Sequence, residues 1–148
     1  DTHVALWVFA DSRRLTKAHR TTLRDATEIH VSAASVWEVA IKRALGKIDI
    51  DAAVFAQAID DSGFLAPPLR ARPPAPLPPP PPPPPHPPPR LPLALPISAR
   101  HAAAVPSLPA HHADPFGRLL VAQAISEPLR LLTADASLAP YSELVTVL

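Results

Sequence analysis

Residues 28–46 read Glu28-Ile29-His30-Val31-Ser32-Ala33-Ala34-Ser35-Val36-Trp37-Glu38-Val39-Ala40-Ile41-Lys42-Arg43-Ala44-Leu45-Gly46, and their reading decides the fold. Glu28 to Val31 reads as a short strand. Ser32 then caps a helix that runs to about Leu45 and is stopped by Gly46. Val36, Trp37, Ala40, Ile41, Ala44 and Leu45 follow the i, i+4 rule, which predicts one buried apolar stripe. A strand that feeds straight into a helix is the repeating unit of an α/β protein.

The flanking sequence continues the alternation. Asp1 to Ala10 reads as a strand end passing into a helix, and Thr16 caps a second helix through about Ala26. Asp51 caps a helix ending near Gly63. Phe64 to Ile97, less a proline block, reads as a strand, and Ser98 opens a helix to about Val105. Asp114-Pro115 is a strong helix start, with Pro at the first helical position. That helix, through Ser126, is apolar on most faces and is expected to be central. Leu129–Thr133 reads as a strand, Ala136–Ala139 as a short helix and Leu144–Leu148 as a last strand. The pattern predicts an α/β fold with a mainly parallel sheet, and sites in such folds gather at the C-terminal ends of strands.

Composition narrows the function. The chain has 148 residues, is 47% apolar, and carries 14 Lys plus Arg against 13 Asp plus Glu. One ordinary domain is expected. A strongly basic nucleic-acid coat and a polyacidic tail are excluded. There is no cysteine, which excludes disulfide scaffolds, Cys-based zinc sites and thiol chemistry, and a cytoplasmic setting fits. Three glycines form no phosphate loop, which argues against dinucleotide or P-loop nucleotide binding. Neither a signal peptide nor a membrane-crossing stretch is visible. The chain begins at Asp1 and has no Met, so its natural start is expected upstream.

Of 23 prolines, 18 lie between Pro67 and Pro96. Each removes a backbone donor and fixes φ, so residues 67–94 are expected to be an exposed, largely disordered insertion, with polyproline II over Pro78–Pro85. Residues 1–66 and 95–148 then form the single domain. Loop closure costs grow only logarithmically with length, so the insertion is tolerated. Arg70 to Pro76 fits an R-x-x-P-x-x-P pattern for SH3-type grooves. Such a match arises easily in proline-rich sequence, and a passive insertion or a gene-model anomaly is the preferred reading over an adaptor.

Three acidic residues fall where the architecture gathers them. Asp1 lies at a strand end, Glu38 in the second turn of the helix after Ser32, and Asp135 directly after Leu129–Thr133. Carboxylates converging at strand ends suit Mg²⁺ or Mn²⁺, and such ions activate water and neutralise phosphodiester charge. Other roles are open: Glu38 and Lys42 form an i, i+4 pair, and Asp135 can cap the short helix after it.

Four ordered stretches resemble the PIN-domain ribonuclease toxins of the VapC type. They are Asp1-Thr2-His3-Val4-Ala5-Leu6-Trp7, Val31 to Lys42, His111 to Ala124, and Leu132-Thr133-Ala134-Asp135. The resemblance covers the chain outside residues 67–94. It implies a three-layer α/β/α sandwich around a parallel sheet. It implies a Mg²⁺- or Mn²⁺-dependent endoribonuclease, the toxin of a bacterial toxin–antitoxin pair, dimeric and silenced by a cognate VapB-type antitoxin in the cytoplasm. By motif, Asp1, Glu38 and Asp135 match catalytic metal-binding acids. Gly117 stands where the family has its third acid. Asp114, three residues upstream, is a weaker substitute, because as N-cap it is expected to accept the N–H of Phe116 or Gly117 and point away from a metal. The alternative is therefore a catalytically impaired module that still binds an antitoxin. The family also has a short apolar strand ahead of the first acid, in mid-sheet. Here that strand is almost absent, so exposed strand edges and a charged amine beside the acids are expected.

Lys42, Arg43 and Arg118 are candidate phosphate contacts, with a solvated face as the alternative. His3, His111 and His112 are candidates to orient RNA or a carboxylate, with a hydrogen-bonded structural or surface histidine as an equal alternative. Trp7 and Trp37 are expected in the core rather than as base-stacking platforms, since both sit on apolar helical faces.

Overall fold

In the computed structural model, which describes residues 1–61 and 92–148, side-chain caps set the helix starts. Asp1 accepts from the Val4 N–H and opens α1 (Thr2–Phe9). Thr16 and His19 form a capping box at α2 (Lys17–Asp25). β1 (Ile29–Ser32) ends in Ser32, whose hydroxyl accepts from Ala34 N–H and opens α3 (Ala33–Ala44). Gly46 follows at φ +66°, the left-handed conformation that ends a helix without steric cost. Asp51 accepts from Ala53 at the start of α4 (Ala52–Asp61). β2 (Pro92–Leu95) precedes α5 (Ala99–Ala104), which is capped by a second box, Ser98 with His101. A 3₁₀ turn, Val105–Ser107, leads towards α6 (Pro115–Ser126), and β3 (Leu131–Thr133), a 3₁₀ segment Ala136–Tyr141 and β4 (Val145–Val147) complete the order.

The architecture is mixed α/β with short parallel strands. β1 pairs with β2 in parallel, from Ile29 opposite Pro92 to Ser32 opposite Leu95. β3 pairs with β4 in parallel, from Leu131 opposite Val145 to Thr133 opposite Val147. One continuous central sheet was expected; the described residues form two separate two-stranded ladders. A largely apolar groove of about 500 Å³ lies between them, with Ile29 and Val31 on one side, Leu132 on the other and Val4, Ala5 and Val8 of α1 along it. His30, at the groove, has a buried Nδ1 without a hydrogen-bond partner.

The proline block is shorter at its C-terminal end than composition implied. Pro92, Leu93 and Ala94 belong to β2, and Pro92 stands at the first strand residue, where its missing N–H is tolerated. The expected strand residues Phe64–Ala66, and residues 67–91 with their polyproline and SH3-ligand readings, lie outside the described residues.

Two apolar clusters hold the domain. Ala34, Leu120, Val121, Ala124, Leu131 and Leu138 form one, centred on α6, which is buried along most of its length as expected. Val31, Val39, Phe55 and Ile59 form the other, with Ala5, Leu6 and Phe9 packed against it. The stripe predicted for α3 is corrected. Its buried residues are Ala34, Ser35, Glu38 and Val39, while Trp37 is 55% and Leu45 63% exposed; Ala40 and Ala44 are exposed too. This face is turned inward where α3 packs against α1, α4 and α6. Trp37 is thus not core; its ring meets Phe116 edge-on on the surface, centroids 5.0 Å apart. No helix among the described residues is long and apolar enough to cross a membrane.

Candidate active site

Asp1, Glu38 and Asp135 come from three distant parts of the chain and line one cleft of about 600 Å³. Asp1 arrives there as the cap of α1. Its Oδ1 accepts from Val4 N–H at 2.8 Å, and its Oδ2 accepts from Thr133 Oγ1 at 2.6 Å and from Ala134 N–H at 3.1 Å. The end of β3 is thereby tied to the start of α1. Thr133 Oγ1 also accepts from Asp135 N–H at 3.0 Å, so one hydroxyl links the two acids.

Glu38 projects from the buried side of α3. Its Oε2 accepts from Thr2 Oγ1 at 2.6 Å, and its Oε1 lies 2.5 Å from Lys42 Nζ. The expected i, i+4 pair therefore exists, with its carboxylate buried rather than on the surface. Asp135 also fills its expected capping role. Its Oδ1 accepts from Ser137 N–H at 2.9 Å and from Ser137 Oγ at 2.6 Å. The Ser137 hydrogen bonds hold its carboxyl below the usual range. His112 Nε2 stands 3.4 Å from its Oδ2.

Asp114 lines the cleft, yet its Oδ2 accepts from Gly117 N–H at 2.8 Å, the capping role expected of it. Gly117 is tightly enclosed: a Cβ there meets His112 Cδ2 and Leu138 Cδ2 at 3.2 Å each. The imidazole of His112 thus borders the position where the resemblance places an acid.

Of the three candidate phosphate contacts, only Lys42 lines the cleft. Arg43 turns to Asp51, 3.3 Å away, and to the Asp49 carbonyl. Arg118 donates to the carbonyls of Pro109, Val105 and Leu108 and to Tyr141 Oη, at 2.7–3.1 Å; its planar fork is a structural clamp. His3 and His112 border the cleft, whereas His111 packs edge-on against Tyr141. Partial burial, with Lys42 nearby, lowers the pKa of His3 and favours the neutral ring.

The Asp1 amino group donates to the Leu132 carbonyl and is deeply buried. Desolvation lowers its pKa to about 5, against an opposing pull from Glu38. The positive charge expected beside the acids is therefore largely absent at neutral pH.

In kind, the donor set suits a hard divalent cation, since four carboxylates surround one cleft. In placement, it is incomplete. Each carboxylate is engaged by a protein donor, and no group of three Asp, Glu or His among the described residues gathers closely enough to hold a metal. Motif reading missed three contributors: Thr2, Thr133 and Ser137, which fix the orientation of Glu38, Asp1 and Asp135. Their signal was adjacency, each hydroxyl lying one or two residues from an acid. Compared with family profiles, characterised proteins and solved structures, the chain gives no significant match.

Proposed function

We propose that the chain is a metal-dependent endoribonuclease of the PIN-domain kind, the toxin of a bacterial toxin–antitoxin pair. One observation carries the reading: Asp1, Glu38 and Asp135 line a single cleft, with Lys42 beside them. In this reading Asp1, Glu38 and Asp135 are the residues that would have to draw closer together to hold a Mg²⁺ or Mn²⁺ ion, which supplies activated water and neutralises phosphodiester charge when bound. Lys42 stands at the cleft as the countercharge of Glu38, and Thr2 and Thr133 hold the two carboxylates they bond. The proposed complete fold is a three-layer sandwich, acting as a homodimer in the bacterial cytoplasm and silenced by a VapB-type antitoxin.

The test is cleavage of total RNA with Mn²⁺, comparing the parent chain with Glu38→Gln and Asp135→Asn. Cleavage by the parent that EDTA and both substitutions abolish supports the reading. Equal cleavage by all three chains rejects it.

A second reading draws on the missing three-ligand group and on Gly117. In this reading the chain is a catalytically impaired module that keeps its antitoxin-binding surface. It predicts no RNA cleavage by the parent, together with a stable complex with an antitoxin from a neighbouring gene. An adaptor built on residues 67–94 would instead bind its partner through that peptide alone.

A further inference from the structure

Trp7 lies on α1 one turn beyond His3, and with Arg14 it lines the carboxylate cleft. Its neighbours Ala5, Leu6 and Phe9 pack against an apolar cluster, but Trp7 belongs to neither cluster. Its ring is half-buried and meets the Arg14 guanidinium, whose carbon stands 5.5 Å from the ring centroid.

Arg14 is exposed and makes no ion pair among the described residues. The other candidate cations are engaged: Lys42 by Glu38, Arg43 by Asp51 and Arg118 by three carbonyls. The cleft therefore presents an indole whose ring carries over it a guanidinium that makes no ion pair among the described residues, so the outer layer open to a base is the planar guanidinium together with the uncovered part of the ring. From Asp1 to Trp7 the helix rises about 9 Å, so a group on the indole lies beside the carboxylates, not among them.

We propose that Trp7 and Arg14 form a stacking shelf for one unpaired nucleobase of single-stranded RNA, with Arg14 also meeting the adjoining phosphate. This rests on the nuclease reading of the cleft. Aromatic faces take any base, and a guanidinium adds both charge and planar stacking. A paired base hides its faces within the duplex stack, which selects single strands. Trp7 and Arg14 are substrate-binding residues in this scheme and take no part in bond cleavage.

The test is binding of a fluorescent single-stranded octanucleotide RNA in EDTA, where cleavage does not interfere. The full chain carries Trp37→Phe, leaving Trp7 as its one indole. RNA should quench Trp7 fluorescence. Trp7→Ala should weaken binding about tenfold or more, and Trp7→Phe should retain part of it. Arg14→Gln, at an exposed position, tests the shelf without threatening the fold and should weaken binding and flatten its salt dependence. A hairpin of the same bases should bind less well than the single strand, and a deoxy octamer of the same sequence should stack without matching the RNA. If the parent binds RNA and neither substitution weakens it, or if the hairpin binds equally well, the shelf is wrong while the nuclease reading stands. If the parent binds no RNA in EDTA, the shelf is wrong, and the nuclease reading is decided separately by the Mn²⁺ cleavage assay.

Discussion

Lys42 Nζ lies 2.5 Å from Glu38 Oε1, one helical turn away, and compensates a carboxylate that is only 6% exposed as a residue. Truncating the lysine leaves a buried charge with the Thr2 hydroxyl as its remaining side-chain partner. Lys42→Met should therefore destabilise the chain by about 1–3 kcal/mol. Adding Glu38→Gln should return part of that loss, because the amide needs no countercharge. Urea unfolding at pH 7 of both single variants and the double variant checks the coupling.

The buried amine of Asp1 sets a pH dependence. Its pKa falls from 8.0 to about 5 on folding, so between those values the unfolded chain binds the extra proton. Stability should fall as pH drops from 8 to 5 and rise in the opposite direction, at up to about 1.4 kcal/mol per unit. Joining Val-rich residues ahead of Asp1 replaces the amine with a peptide N–H, still able to donate to Leu132. Thermal melts should then show a flatter profile across this window.

Ser137 contributes two of the hydrogen bonds that hold the Asp135 carboxyl below its usual range. Ser137→Ala removes the side-chain bond and keeps the backbone one. The Asp135 carboxyl should titrate at higher pH in the variant, as followed by carboxyl-carbon NMR. In the parent, the stabilisation from Asp135 is present above the unfolded carboxylate pKa and is lost as pH falls through the lower folded value. This window lies below that of the Asp1 amine.

Gly117 has little room for a side chain, with His112 and Leu138 each 3.2 Å from an added Cβ. Gly117→Asp alone should lose about 1–3 kcal/mol through overpacking. Combining it with His112→Ala should recover part of the loss by clearing one neighbour. Placing an acid at this position therefore takes two substitutions, and Tm measurements on the single and double variants test this.

The caps were the most legible part of the fold. Thr16, Ser32, Ser98 and Asp114 each satisfy an N–H within three residues, so local sequence is enough to place them. The inward face of α3 was hidden because its residues Ser35 and Glu38 read as surface positions. Their burial depends on α1 and α6, which lie far away in sequence. Trp37 misled for the matching reason: its apolar ring suits a core, but α3 turns it towards Phe116 at the surface. For the site, the acids were visible as motif positions, and their gathering into one cleft was an inference from topology. No three of them gather closely enough to hold a metal among the described residues, and motif spacing does not encode that side-chain placement. The start of β2 inside the proline block was masked by composition.

Arg118 has a consequence for local order. Its guanidinium grips the carbonyls of Val105, Leu108 and Pro109 from α6, while Tyr141 Oη accepts from both Arg118 and the His112 backbone N–H. The stretch between α5 and α6 thus hangs from one planar cation and one phenol. A lysine at 118 keeps the charge and loses the fork, turning a fastened crossing into a segment open to a protease while the two apolar clusters remain intact.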